Sequence, residues 1–206
     1  IWADRQMMLY AADVLERKPG AQIIFDIKSS TNLEHFIEQH GGEPLMWKTG
    51  HSFIKAKMKE TGAELAGEMS GHIFFKERWF GFDDGLYSAA RMLEILSKRN
   101  QSSSEVFAEL PDSINTPELQ IMFEEGEHYK FMERFKQDAD FGDADIITID
   151  GMRINFENGW GLIRPSNTTP CLVLRFEASS QAALDDIQAK FRQQILKQDS
   201  GLKLPF

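Results

Sequence analysis

Ala21-Gln22-Ile23-Ile24-Phe25-Asp26-Ile27 is a short apolar run, followed by Thr31 through Ile37 and then by Pro44-Leu45-Met46-Trp47. The first run follows Pro19-Gly20 and reads as a buried strand. Thr31 and Glu34 have the spacing of a capping box ahead of Phe36 and Ile37, which predicts a helix that Gly41-Gly42 ends. Pro44 to Trp47 reads as a second strand. Strand, helix and strand in direct succession predict an α/β layer.

The pattern extends in both directions. Upstream, Met7, Ala11, Val14 and Leu15 fall on one helical face after Asp4, which is placed as the cap. Downstream, a helix from about His51 to Glu60 stops at Gly62, Ala63 to Ala66 forms a strand, and a loop spans Gly67 to Gly71. The aromatic run Ile73-Phe74-Phe75 through Trp79-Phe80 comes next. Leu86, Ala89, Ala90, Leu93 and Leu96 then predict a strongly periodic helix closing near Lys98. Ser102 and Glu105 form a second capping box, and the polar, proline-bearing segment from Pro111 to Pro117 is the candidate boundary.

Beyond it the order changes. Strands are expected near Leu119 to Glu124, Ile146 to Thr148, Met152 to Phe156, Trp160 to Arg164 and Leu172 to Glu177, with hairpin signals at Asp150-Gly151 and Asn158-Gly159. One helix is expected around His128 to Lys136. A last one starts after Ser179 or Ser180 and places Leu184, Ile187, Phe191 and Ile195 on one face. The expected architecture is an α/β domain over residues 1–112, a mixed sheet with flanking helices. An α+β domain follows over residues 113–206, a mainly antiparallel sheet with helices on one side.

The 206 residues are 42% hydrophobic and 27% charged, and the balance of 23 basic and 32 acidic side chains gives 23 − 32 = −9. An acidic chain without a lysine-rich run is a poor binder of nucleic acid, because backbone affinity comes from clustered Lys and Arg. No stretch approaches the roughly 18–20 apolar residues of a membrane span. The single Cys171 fits a reducing cytoplasm. The chain opens on Ile1 rather than Met, so a processed or partial chain is expected.

Two stretches carry candidate chemistry. Lys48-Thr49-Gly50-His51-Ser52 and Gly67-Glu68-Met69-Ser70-Gly71-His72 both lie where a strand gives way to a loop or helix, the edge at which open α/β sheets bind ligands. Carboxylate, hydroxyl and imidazole on a glycine-flanked turn suit vicinal sugar hydroxyls, although a capped turn with a half-buried His uses the same residues. Arg164-Pro165-Ser166-Asn167-Thr168-Thr169-Pro170 offers a guanidinium, hydroxyls, an amide and loop N–H groups, a set suited to a phosphate. An ordinary turn would use Ser, Asn, Thr and Pro too, and Arg164 favours the anion.

Other patterns fall short. Asp140-Phe141-Gly142 matches a kinase metal tripeptide without the accompanying motifs. The Asp138, Asp140, Asp143 and Asp145 cluster lacks EF-hand spacing. Glu68 and His72 make half a zinc site, with Cys171 distant in sequence.

Together with the segment Phe74 to Leu96 and with Arg164 to Ala178, these motifs resemble the C-terminal half of bacterial phosphomannomutase/phosphoglucomutases of the α-D-phosphohexomutase superfamily. The resemblance covers the whole chain and implies the third and fourth of four domains. It implies that Glu68 and Ser70 recognise sugar hydroxyls and that Arg164, Ser166, Asn167 and Thr168 hold the phosphate not being transferred. It further implies that Lys28, Thr49, Gly50 and His51 add phosphate or hydroxyl contacts and that Arg5 orients the adjoining loop. His72 is the candidate acid/base, since imidazole titrates near neutrality. Pro165 departs from a small residue at its position, so side-chain contacts carry over there better than backbone ones.

The family's phosphoserine loop (S-H-N-P type) and Mg²⁺ loop (D-G-D-G-D-R) do not occur in this sequence. The expectation is therefore a recognition half without turnover, with hexose phosphates and the N-terminal domains of the same protein as partners, monomeric, and binding no metal of its own. Mg²⁺ and glucose 1,6-bisphosphate would serve the intact enzyme. A non-catalytic binding fragment is an alternative. Half of a phosphoglucosamine mutase is another, ranked lower because of Met69 and of Lys48 to His51.

Overall fold

In the computed structural model, which describes Ile1–Phe206, the chain divides into two units, Ile1–Asp112 and Ser113–Phe206. The first runs α1 (Ala3–Arg17), β1 (Gln22–Asp26), α2 (Thr31–Gln39), β2 (Glu43–Trp47), α3 (His51–Thr61), β3 (Leu65–Gly67), β4 (Ile73–Phe75), α4 (Gly85–Ser97) and α5 (Ser103–Ala108). Its sheet has the order β2-β1-β3-β4, with β1 parallel to β2 and β3, and β4 antiparallel to β3.

Residue alternation along the strands builds a layer on each side. Ile23, Phe25, Leu65, Ile73 and Phe75 face a core with α1, α2, α4 and α5, through Met7, Val14, Leu33, Ile37, Ile95 and Val106. Ile24, Ala66 and Phe74 face Ile54 and Met58 of α3. Gly67 lets the Met7 side chain of α1 pack directly against β3, since a Cβ there would force that side chain to shift.

Three local readings change. The N-cap of α1 is Trp2, and Asp4 is a buried first-turn residue whose Oδ2 accepts from Ser30 N at 3.0 Å. The cap of α2 is Ser30, one residue before Thr31, and its hydroxyl accepts from Asn32 N at 3.1 Å. On α4 the apolar periodicity does not mark the buried face: Leu86 and Leu93 are 87% and 69% exposed, while Ser88, Arg91 and Ile95 are buried. The cause is ionic. Arg91 Nη2 lies 2.7 Å from Asp13 Oδ2 and 2.9 Å from Glu77 Oε2, and its guanidinium stacks over Phe75 at 4.4 Å. Arg17 binds the same two carboxylates. Burial alone would push the Asp13 and Glu77 carboxyls up, but hydrogen bonds and charge from Arg17 and Arg91 outweigh it and hold both below the usual carboxylate range.

The second unit runs β5 (Ile114–Asn115), β6 (Leu119–Met122), α6 (Glu127–Asp138), β7 (Asp145–Ile147), β8 (Met152–Phe156), β9 (Gly159–Pro165), β10 (Cys171–Ala178) and α7 (Gln181–Gln198). Its sheet is antiparallel throughout, ordered β5-β10-β9-β8-β7 with β6 also on β10. Ile154, Ile163, Leu172, Leu174 and Phe176 share one core with Phe131 and Phe135 of α6 and with Leu184, Ile187, Phe191 and Ile195 of α7. The other residues of the same strands carry Arg153, whose guanidinium lies 3.8 Å over Trp160, and Glu177, which accepts from Trp160 Nε1 at 3.1 Å. The fold class is thus a mixed α/β unit followed by an antiparallel α+β unit.

The ionic explanation of α4 is testable. Leu93→Gln should change stability by no more than about 0.5 kcal/mol, whereas Ile95→Ala should cost about 2–4 kcal/mol in urea melts. Arg91→Ala removes one of the two guanidiniums on Asp13 and Glu77 and leaves Arg17 on both, so it should cost about 1–3 kcal/mol. Both carboxyls titrate lower folded than unfolded, so the network's contribution is complete above the unfolded range of about pH 4 and is lost as pH falls below it. Melts between pH 7 and 3 should show that loss in the wild type and a flatter profile in Arg91→Ala.

Candidate functional site

Parallel pairing of β1, β2 and β3 puts the loops that follow them at one edge of the sheet, where open α/β sheets bind ligands. Lys28 lies in the first of these loops, Thr49 and Gly50 in the second, and Glu68, Ser70 and His72 in the third. His51 begins α3, and its ring centroid is 5.8 Å from that of His72.

Glu68 is the centre of this group. It is buried, and its Oε2 accepts from Gly50 N at 3.1 Å and from Ser70 Oγ at 3.3 Å. Gly50 reaches this position with φ 128°, in the region that favours glycine. Glu68 Oε1 is buried without a hydrogen-bond partner, an unmet acceptor in a polar loop. Burial, then the charge of Asp26, pushes the Glu68 carboxyl up, against the Gly50 N–H, His72 and Lys28. The loop itself is closed by Glu68 N to His72 O and Gly71 N to Glu68 O, both 2.9 Å.

His72 is half-exposed, and its Nδ1 lies 2.7 Å from Asp83 Oδ2. A carboxylate only accepts, so this contact puts the proton on Nδ1 and leaves the Nε2 lone pair available. Asp83 is held by an antiparallel bridge to Phe74. Lys28 is buried with Nζ 3.7 Å from Asp26 Oδ2, and Thr49 Oγ1 donates to the same oxygen at 3.0 Å.

Arg5 stands apart. Its guanidinium donates to Phe107 O at 2.8 Å and Leu110 O at 3.2 Å and pairs with Asp112 at 3.1 Å, so it ties the start of α1 to the end of α5. Its neighbour Asp4 makes the link to the Lys28–Ser30 turn instead.

In the second unit, Arg164 near the end of β9 is buried. Its Nε donates to Asp150 Oδ2 at 2.9 Å, and its Nη2 is buried without a partner. Ser166 Oγ accepts from Thr168 N and Thr169 N, each at 3.3 Å, which curls the loop around its hydroxyl. Tyr129 OH donates to Ser166 O at 3.2 Å from α6. Asn167 and Thr168 are exposed at the tip. Burial raises the Cys171 thiol behind the loop.

Sequence reasoning missed Asp26, Asp83, Asp150 and Tyr129. A carboxylate ending an apolar strand was a usable signal for Asp26. Asp83 is masked by Asp84, which caps α4 by accepting from Tyr87 N at 2.9 Å. Asp150 reads as a turn residue before Gly151, and Tyr129 as one more residue of a helix.

Both units match known families. Residues 2–114 match the phosphoglucomutase/phosphomannomutase α/β/α domain III, and residues 118–194 match the C-terminal domain of the same family. A phosphomannomutase/phosphoglucomutase of Pseudomonas putida is 58% identical over 206 residues, covering 100% of this chain and 44% of that protein. A phosphoglucomutase of Neisseria gonorrhoeae is 59% identical over 194 residues, 93% of this chain and 42% of its own length. The crystal structure of a phosphoglucomutase/phosphomannomutase family protein from Burkholderia thailandensis superposes with a TM-score of 0.93 at 53% identity, over 100% of this chain and 44% of that one. The chain therefore spans less than half the length of these relatives. It belongs to the phosphoglucomutase/phosphomannomutase family, of which it carries the third, α/β/α domain and the C-terminal domain.

Proposed function

We propose that this chain is the sugar-phosphate-recognition half of a phosphohexomutase that interconverts hexose 1-phosphates and hexose 6-phosphates of mannose or glucose. The observation that carries the reading is that, within the two polar loops, one atom of each central charged side chain is buried without a partner: Glu68 Oε1 in the first unit and Arg164 Nη2 in the second. An unsatisfied buried polar atom costs about 1–3 kcal/mol, more when charged, and a ligand that supplies the partner removes that cost. Glu68 asks for a hydroxyl donor and Arg164 for an anionic acceptor. Sugar hydroxyls suit the first unit's loop and a phosphate suits the second's, each unit taken by itself.

On this reading Glu68 and Ser70 bind vicinal hydroxyls, a pair that either end of the ring presents when the sugar turns over. Arg164, Ser166, Asn167 and Thr168 bind the phosphate that stays in place. Lys28, Thr49, Gly50 and His51 add contacts along the first unit's edge. His72, with Asp83 on Nδ1, takes a proton on Nε2 from the attacking hydroxyl or returns one to the leaving oxygen. Phosphoryl transfer depends chiefly on positioning and charge neutralisation, and these residues supply the positioning.

The donor phosphoserine, and the bisphosphorylated sugar it forms, belong to the part of the family protein outside this chain. On this reading Mg²⁺ serves the intact enzyme, through the family's D-G-D-G-D-R loop, which does not occur in this sequence. The chain alone is accordingly expected to bind sugar phosphate without turning it over. Nucleic acid and membrane are not expected partners. No helix is long and apolar enough to cross a membrane.

Two experiments check this. Glucose 6-phosphate, followed by amide chemical shifts, should perturb Glu68, Ser70 and Ser166, and Glu68→Ala and Arg164→Ala should each weaken it by about tenfold or more. No perturbation at millimolar ligand would leave an inert fragment. Incubation with glucose 1-phosphate, glucose 1,6-bisphosphate and Mg²⁺ should give no sustained mutase activity. Separately, ¹⁵N shifts of neutral His72 should report the Nδ1–H tautomer, and Asp83→Ala should move the population towards Nε2–H.

A further inference from the structure

Asp26 is fully buried at the end of β1, a strand otherwise closed by Ile23, Ile24 and Phe25. A carboxylate in that position carries a desolvation cost that only hydrogen bonds or opposite charge can offset. Its partners come from three different loops. Oδ1 accepts from Ser29 Oγ at 2.8 Å, in the loop after β1, and from Met69 N at 3.0 Å, in the loop after β3. Oδ2 accepts from Thr49 Oγ1 at 3.0 Å, in the loop after β2, and lies 3.7 Å from Lys28 Nζ.

We propose that Asp26 is a positioning residue for sugar recognition, a single buried carboxylate that locks the three loops of the binding edge together and so fixes where Glu68 and Ser70 stand. The ligand's identity rests on the function proposed above; the locking geometry stands without it.

Met69 N belongs to the peptide that joins Glu68 to Met69, so holding that N–H fixes the backbone on the C-terminal side of Glu68. Thr49 precedes Gly50, whose N–H is the backbone donor to Glu68 Oε2 at 3.1 Å. Asp26 therefore acts on both flanks of the Glu68 carboxylate while touching neither Glu68 nor Ser70 by hydrogen bond. The groups that set the charge around Glu68 are Asp26 and Lys28 from β1 and its loop and His72 from the β3–β4 loop, with the Gly50 N–H from the β2–α3 loop. Asp26 raises the Glu68 carboxyl, so removing its charge moves that titration to lower pH; the lock itself is read from amide exchange at Gly50 and Met69, the backbone groups it holds in place.

The test uses the 206-residue chain. Asp26→Asn keeps the shape and removes the charge. The Glu68 side-chain carboxyl is followed by ¹³C shift against pH, glucose 6-phosphate is titrated, and inorganic phosphate reports on Ser166 and Thr168. Asp26→Asn should lower the Glu68 midpoint and weaken glucose 6-phosphate by about tenfold, leaving the phosphate response at Ser166 and Thr168 unchanged. A folded Asp26→Asn chain with Glu68 midpoint and sugar affinity both unaltered overturns the proposal. Should Asp26→Asn not fold, Ser29→Ala removes one arm without touching an assigned ligand contact: faster amide exchange at Gly50 and Met69 with weaker sugar binding supports the lock, and unchanged values in both overturn it. If the wild-type chain gives no response to glucose 6-phosphate, the functional reading fails, and the Glu68 titration with Met69 exchange still decides the role of Asp26.

Discussion

Parallel pairing of β1 with β2 on one side and β3 on the other is the constraint from which the candidate site of the first unit follows. Three strands running the same way must deliver three loops to the same edge, and each crossover must travel back along a helix. The sheet is only four strands wide, so the loops are close enough for one buried carboxylate to reach all of them. β4 breaks the pattern by returning antiparallel to β3. The β3–β4 connection is then a tight hairpin rather than a crossover, which brings Glu68 and His72 to opposite ends of one short loop.

The second unit solves a similar problem with an antiparallel hairpin. β9 and β10 are paired from Gly159 with Ala178 to Pro165 with Leu172, which fixes the two feet of the loop between them. Ser166 turns its hydroxyl inward to collect two loop amides, and Asp150 orients Arg164 from the β7–β8 connection. Each cation assigned to an anionic ligand, Lys28 and Arg164, has a carboxylate beside it. The carboxylate holds each cation in place and offsets part of its charge, so what Lys28 and Arg164 offer depends on local geometry rather than on the net charge of −9.

Much of the fold was legible in the sequence because strong periodicity and turn residues speak locally. Ile23 to Phe25, the Ser102–Glu105 capping box and the face of Leu184, Ile187, Phe191 and Ile195 all read as the structure has them. The α4 helix did so only in part, since of Leu86, Ala89, Ala90, Leu93 and Leu96 the first four are exposed and only Leu96 packs on the core. Periodicity measures amphipathicity, but which side is buried depended on Arg91 finding Asp13 and Glu77 from segments far away in sequence. The one-residue shift of the α2 cap from Thr31 to Ser30 has a smaller cause of the same kind: adjacent Ser and Thr are equivalent caps until the backbone chooses.

The sequence by itself determined the order of elements, the change from α/β to antiparallel α+β, and the two loops whose residue types suit hydroxyls and an anion. These are local matters of spacing, turn chemistry and side-chain type. Only the tertiary structure decided that Glu68 is buried with one oxygen unmet, that Asp83 stands behind His72, that Arg5 serves the end of α5, and that Asp26 links three loops. Each of those facts joins residues separated along the chain, and hydrogen bonds at about 3 Å are made by whichever groups folding brings together, a distance that no local pattern encodes.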